Sequence, residues 1–561
     1  MKNKLSAVCK AGSGTMTVLL AGCMLTVLCF NPWTAYATTV DGVIPQADSQ
    51  DIIAVAAEGA SVWDGDLKKA GWGGEGTVPG ESSYKEDDST VTIYDAEGLA
   101  YFAYKVATDE SVRGYTVELE SDIDLNNHLW IPIGFGAPKD DYDQPMFSGT
   151  FNGNDHTVYN LSMEASNLAL KDDGSDQNGW VTVSSGDVTI TVPTADDQQD
   201  NEYNHEYAYG LFGVVGGGAT INGLTVASVN ISVGEFSQSS GGAMHNLVAV
   251  GAGALVGYAK GNVTISGCTA GSIAGIIDAD EDEEEDENEA EQITPDSIDG
   301  ADCSGGLVGL ADGLLEGGTN YGTVKITDCV NYISVGGLGS TGKEAGILGY
   351  CENTASLVFE DCENFGEITG ADVGGITSCI ISPDSDTGSA EYEWKFTGCK
   401  NYGNVSGTTN VGGIVGSVVA TEVAGSATYS VEISNCKNYG TVSNIADSVA
   451  LSEGEGATGG IVGYLSLWAE ESGKKAFTDN FNYCKIVGIA DEPTLSTTAS
   501  TGGLIGYLNL NGSIQGISGG NYAKITGYLI KDGCIGGTAE GCDYSGYIYL
   551  INAYAVKGAE E

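Results

Sequence analysis

The sequence predicts an all-β chain: a parallel β-helix, or solenoid, behind an N-terminal lead-in and cap region. Three observations carry that prediction. First, the 561 residues include 84 Gly and only 10 Pro, so glycine is about twice as common as usual and punctuates something regular that is not collagen. Second, two short phrases alternate along the C-terminal two-thirds of the chain at a period near 37 residues. Third, the stretches between them alternate in β-branched residues, as in Tyr429 to Ser434 and Gly261 to Ser266, with no 3.6-residue stripe. Right-handed coiling is expected, because parallel crossovers overwhelmingly take that hand.

The first 37 residues read as a secretory signal peptide. Lys2, Lys4 and Lys10 precede an apolar run from Met16 to Phe30, and Ala35-Tyr36-Ala37 places cleavage after Ala37. Leu20-Ala21-Gly22-Cys23 is a competing lipoprotein signal, but Met24 to Phe30 stays apolar where a lipoprotein turns polar. Export to the medium or the cell surface is therefore expected. Residues 38–90, with Trp63 and Trp72 among glycines and charges, are expected to form a linker or cap. The solenoid is assigned to 91–550 and a tail to 551–561, which shows no sorting motif. No later run approaches the roughly 18 apolar residues of a spanning helix, so no membrane span is expected in the mature chain.

With 22 Lys and Arg against 77 Asp and Glu, the net charge is −55. Such a surface repels nucleic acid, which is excluded as a partner. The run Asp278 to Glu291 reads as a solvated loop between coils. It and Asp197 to Glu202 offer at most weak Ca²⁺ binding, since they lack the glycine and ligand spacing of an EF-hand. No cofactor is expected.

The first phrase is Gly-Gly, an apolar pair, then Gly: Gly305 to Gly309, Gly412 to Gly416, Gly459 to Gly463 and Gly502 to Gly506. The second reads Asp361-Cys362-Glu363-Asn364-Phe365-Gly366, Gly398-Cys399-Lys400-Asn401-Tyr402-Gly403 and Asn435-Cys436-Lys437-Asn438-Tyr439-Gly440. Its Asn recurs at 331, 364, 401, 438, 482 and 521. Stacked coils turn such columns into ladders. Ile414 and Val462 are expected inside, the glycines at corners with positive φ or at close approaches, and Asn in left-handed corners beside an aromatic row.

Eleven cysteines follow the leader, an odd number for an exported chain. If each unit makes two coils, equivalent thiols stand roughly 9 to 10 Å apart, too far to bridge, and Cys362, Cys399 and Cys436 become small buried ladder residues. A single larger coil per unit brings neighbours within bridging range. No Cys-x-x-Cys zinc spacing occurs.

These phrases resemble the GLUG-repeat family of bacterial exported proteins. Asp122-Ile123-Asp124-Leu125, Trp130 to Gly134, Phe147 to Asn154 and Tyr209 to Gly213 look like the lead-in common in that family. The resemblance spans about 91 to 530 and implies a repeat scaffold. Some members are immunoglobulin-cleaving metallopeptidases with a His-Glu-x-x-His motif. Only His128, His156, His205 and His245 occur here, and Tyr209 stands where His205-Glu206 requires a second His, which excludes that branch.

No catalytic, cofactor or metal residue is assigned. Asp122 and Asp124 share a strand face, but their place in the lead-in favours a turn or capping role over catalysis. Exposed aromatics could bind sugars, and the 28 Tyr are a large supply, but many occupy the repeat phrases and are expected to be structural. The reading is a non-enzymatic secreted or surface protein, with adhesin-like binding to a host or bacterial glycan or protein, or a presenting or spacer role. The alternative is a carbohydrate-active β-helix enzyme, a lyase or hydrolase, with carboxylates dispersed over several coils. A groove where three or more charged side chains converge would favour the alternative.

Overall fold

Each repeat unit closes one turn of a parallel β-solenoid. In the structure, a computed structural model, Asn331, Asn364, Asn401, Asn438, Asn482 and Asn521 pair in register on successive parallel strands. Side chains are described for residues 59–164 and 206–542, except 73–77, 136–144, 235–247, 273–295, 316–319, 338–341, 384–390, 421–427, 448–450, 468–473, 494, 511–515, 530–532 and 540–541. The signal peptide, the acidic run 278–291 and the side chains of 197–202 lie outside them. The chain divides into two units, Met1–Ile53 and Ala54–Glu561, and the second holds the solenoid.

One coil runs from Val415–Ala420 through Thr428–Ser434 and Lys437–Asn438 to Val442–Asn444 and Ala457–Gly459. Val462–Leu467 then begins the next. Stacking makes four sheets: sheet I holds the Thr428–Ser434 and Lys437–Asn438 positions, sheet II Val442–Asn444, sheet III Ala457–Gly459 and sheet IV Val462–Leu467. Alternation along each strand sorts side chains between core and solvent. In Glu391–Thr397, Tyr392, Trp394 and Phe396 are buried while Glu391 and Glu393 are exposed.

The main core lies between sheets I and IV. Its spine is an in-register ladder of Phe151, Ile221, Ile265, Ile326, Phe359, Phe396, Ile433, Phe477 and Ile517. A second, smaller core holds Val335, Ile368, Val405, Val442 and Ile486 of sheet II against Val373 and Val411 of sheet III.

The two phrases meet inside the coil. Each ladder Asn is fully buried. The Asn401 Nδ2 donates to Gly403 O and to Asn438 Oδ1, both at 2.8 Å, and its Oδ1 accepts from Asn364 Nδ2 at 2.8 Å. The same pattern runs from Asn331 to Asn521. The Gly-Gly phrase provides the room. A Cβ on Gly413 would stand 2.5 Å from Asn438 Cγ, and one on Gly412 would stand 1.8 Å from Val415 O. The third glycine, Gly416, lies against the backbone of the preceding coil, where a Cβ would meet Ser378 O at 2.5 Å.

These contacts bear out close approach by the phrase glycines and correct where the left-handed corners lie. The phrase glycines serve close approach, and none of Gly305, Gly306, Gly412, Gly413 or Gly416 has positive φ. The left-handed corner is the residue before the phrase Cys, or before the Asn480 that replaces it: Gly267, Asp328, Asp361, Gly398, Asn435 and Asp479 have φ of 51 to 70°, and the recurrence of Asp, Asn and Gly there follows from their tolerance of that region. The ladder Asn bonds nearby backbone as expected, but from an extended strand.

Residues expected as linker or cap join the body. Ser61–Val62 pairs with Ile123–Asp124, and Trp63, Leu67, Ala70, Trp72 and Tyr84 are buried. A helix, Ala96–Thr108, covers the first coils. Asp95 caps it by accepting from Gly98 N at 2.9 Å, and Leu99, Phe102, Ala103 and Val106 form the buried stripe. Its Phe102 packs on Phe147 and Phe151. Solenoid ends need such covers because an end coil has only one neighbour.

Replacing Asn401 by Ala removes three buried hydrogen bonds and strands the Asn364 amide, so a loss of about 3 kcal/mol or more is expected. Exposed Glu367→Ala should stay within about 0.5 kcal/mol of wild type. Urea denaturation measures both, and equal midpoints would refute the ladder's role.

Candidate functional surface

Alternation turns the residue after each ladder Asn outward. Tyr332, Phe365, Tyr402, Tyr439, Tyr483 and Tyr522 therefore stack along the solenoid, with successive ring centroids 4.5 to 5.3 Å apart and planes within 18° of parallel. Tyr439 and Tyr483 are 38% and 42% exposed. Each ring face is covered by the next ring, leaving edges and hydroxyls to the solvent. Burial pushes the phenols of Tyr402, Tyr439 and Tyr483 up, so they remain donors at neutral pH. Among the described residues, no hydrogen bond engages the hydroxyls of Tyr402, Tyr439, Tyr483 or Tyr522.

Lysines flank this row. Lys400 pairs with Glu363 at 2.5 Å, and Lys437 stands in register beside it. On the other flank Lys485 and Lys524 are exposed and stacked, since Ile486 pairs with Ile525. Among the described residues Lys437, Lys485 and Lys524 make no ion pair.

A second cluster lies where sheets III and IV adjoin. Cys303, Lys343 and Asp372 occupy successive rungs of sheet III, and Tyr350 and Cys379 successive rungs of sheet IV. Lys343 Nζ sits 4.7 Å from the Tyr350 ring centre. The Tyr350 hydroxyl donates to Glu352 Oε2 at 3.2 Å, and Asp372 Oδ1 accepts from Asn410 N at 3.1 Å and Ser417 Oγ at 3.4 Å. Burial pushes the Cys303 thiol up to about 12 and raises Cys379 also, so neither is a ready nucleophile.

The lead-in acids are engaged by hydrogen bonds within the lead-in. Asp122 Oδ1 accepts from Thr157 N at 2.9 Å and faces His156 Nδ1 at 3.1 Å. Asp124 Oδ1 accepts from Asn126 N and Asn160 Nδ2, both at 2.7 Å. His205 and His245 have side chains outside the described residues. Among the described residues no group of three or more His, Cys, Asp or Glu is placed to hold a metal, and no helix is long and apolar enough to cross a membrane.

Sequence reading missed Glu344. It occupies the inward column of sheet III, in register with Ser304 and Val373, and is fully buried. A Cβ on Gly337, Gly342 or Gly370 would collide with its carboxyl group. Glu344 Oε2 accepts from Ala371 N at 3.2 Å, while Oε1 has no partner. Burial pushes its carboxyl up to about 8. Aligning Lys343-Glu344-Ala345 with Asp372-Val373-Gly374 exposes the anomaly.

The phrase cysteines form a ladder. One unit per coil sets Cys268, Cys329, Cys362, Cys399 and Cys436 on adjacent rungs about 4.8 Å apart, which replaces the wider two-coil spacing. They are free and buried; Cys362 Sγ donates to Ile326 O at 3.4 Å, and Cys436 Sγ to Ser434 O at 3.5 Å. Asn480 ends the column by accepting from Cys436 N.

No family model and no curated protein matches the chain. A solved structure of a Bacteroides ovatus protein, provisionally called an immunoglobulin A1 protease, aligns over 68% of this chain and 85% of its own, at 17% identity and a TM-score of 0.37.

Glu344 ionises at about 8 in the folded chain and near 4.5 when free. The folded state therefore holds its proton longer, so this carboxyl's contribution to stability is complete below pH 4.5 and is lost as pH rises through 8. The slope is about 1.4 kcal/mol per pH unit in that window. Glu344→Gln should flatten urea midpoints across it, and an unchanged slope would refute the assignment. Native labelling with a thiol reagent should reach Cys484 and Cys542 before the nine buried thiols among the described residues, which react only on unfolding. Early modification of Cys399 would contradict the buried ladder.

Proposed function

We propose that this chain is an exported, non-enzymatic solenoid of the GLUG-repeat kind, and that its role is adhesive. It presents the aromatic flank to a glycan or protein on a host or bacterial surface. The observation that carries this reading is the tyrosine row: four hydroxyls with no hydrogen-bond partner among the described residues, on a column the fold repeats coil after coil. Interior columns are filled by packing, whereas an outward column is free to serve recognition. Lead-in carboxylates, the first candidates for catalysis, are held by backbone and side-chain donors.

One observation favours a second reading. Lys343, Glu352 and Asp372 cluster where sheets III and IV adjoin, beside the Tyr350 ring. A lysine, a phenol and a carboxyl of raised affinity for its proton are groups that a polysaccharide lyase or hydrolase uses.

The full chain on a glycan array and on host-matrix proteins should bind at micromolar concentration. Tyr439→Ser with Tyr483→Ser should weaken that binding about fivefold or more, and no binding would overturn the adhesive reading. Release of new sugar ends from a polysaccharide panel, abolished by Lys343→Met or Asp372→Asn, would instead establish the enzyme.

A further inference from the structure

We infer that the tyrosine row from Tyr402 to Tyr522, with Lys437, Lys485 and Lys524 beside it, is a docking track for a linear anionic polysaccharide. This rests on the adhesive reading and names the class of its ligand.

Charge is the first argument. Basic residues number 22 against 77 acidic ones, yet three lysines without ion pairs among the described residues border three successive rungs of one row, those of Tyr439, Tyr483 and Tyr522. At physiological ionic strength charges beyond about 8 Å are largely screened. A polyanion lying on the row is therefore governed by these lysines more than by the net −55. The track also has an end. Glu363 neutralises Lys400, and exposed Glu367 borders the Phe365 rung, so the anionic ligand is confined to the coils that follow.

Ring geometry is the second argument. Neutral sugars and single-stranded nucleic acids gain most from aromatic faces, and here the faces between Tyr402 and Tyr522 are covered by neighbouring rings. The groups left are phenol hydroxyls, which can donate as well as accept, and ammonium groups, which only donate. Donors repeated once per rung, about 4.8 Å apart, suit a chain that carries acceptor oxygens on every residue. An acidic peptide shares the charge but not the density of hydroxyl and ring oxygens that the phenols would meet.

The test uses the full chain in titration calorimetry with an oligogalacturonate, a neutral oligogalactan of equal length, and polyglutamate. The oligogalacturonate should bind, with affinity falling as salt rises. The triple variant Lys437→Glu, Lys485→Glu, Lys524→Glu should lose about tenfold or more, while Lys68→Glu with Lys85→Glu changes nothing. Tyr439→Phe with Tyr483→Phe keeps the stack, removes two donors and should lose about threefold. An unaltered thiol-labelling pattern verifies that each variant is folded. Equal binding of the neutral oligomer, equal binding of polyglutamate, or full binding by the triple variant overturns the inference. If a neutral glycan or a matrix protein binds and the anionic oligomer does not, this inference falls and the adhesive reading stands. No binding to these probes, to the glycan array or to the matrix proteins overturns both.

Discussion

A buried carboxamide must find its partner one coil away, and the rest of this solenoid follows from that requirement. Each ladder Asn has two N–H groups and one oxygen in a site with no access to water. One N–H is satisfied within its own coil and the other by the next Asn. An unpaired buried polar group costs about 1 to 3 kcal/mol, so a coil that slipped by one residue would lose this on two neighbours at once. The unit is thereby held to one turn. Spacings between successive Asn vary from 33 to 44 residues, and the extra residues are absorbed between strands, as between Ala420 and Thr428.

The ladder also dictates its surroundings. A flat amide needs a flat neighbour, so the second glycine of each Gly-Gly pair has no side chain to offer. Two residues before the Asn the chain points inward again, in a space that admits a thiol whose Sγ donates to nearby carbonyls. One residue after it the chain points outward, and rung spacing forces whatever aromatic stands there into a face-to-face stack. The exposed row is a consequence of the interior, displayed on the surface.

Much of this was legible in the sequence. Periodicity gave the solenoid, and the recurrence of Asn followed by an aromatic gave two adjacent ladders. The number of coils per unit was not legible, because a period of 37 residues suits one large turn or two small ones, and only pairing of Asn364 with Asn401 decides between them. That the two phrases touch was hidden as well, since Gly413 and Asn438 are 25 residues apart and meet only when the coil closes. The helix Ala96–Thr108 carries a readable stripe at Leu99, Phe102, Ala103 and Val106, but it lies ahead of the repeats, and a search for repeats passes over it. Among sites, the lead-in acids were legible and are engaged by hydrogen bonds, whereas Glu344 lies in a three-residue strand among glycines, too short to display its inward position in the sequence.

The outward columns differ in a way that bears on function. A column filled by one residue type, such as the tyrosines, can make only a linear array, in which every rung offers the same contact to a repeating ligand. A column of unlike residues makes a point site. Sheet III contains one: where neighbouring coils carry Asn410, Ala457 and Ser500, three successive rungs read Cys303, Lys343 and Asp372. Repetition alone does not yield that sequence of groups. The same coils place Glu344 in an inward column otherwise made of Ser304, Val373, Val411, Thr458 and Thr501 and keep three glycines clear around it, so the departure reaches the interior too. The molecule thus carries an array on one flank and an irregularity on another. The array repeats one contact along the solenoid axis, and the irregularity gathers unlike groups at a single point.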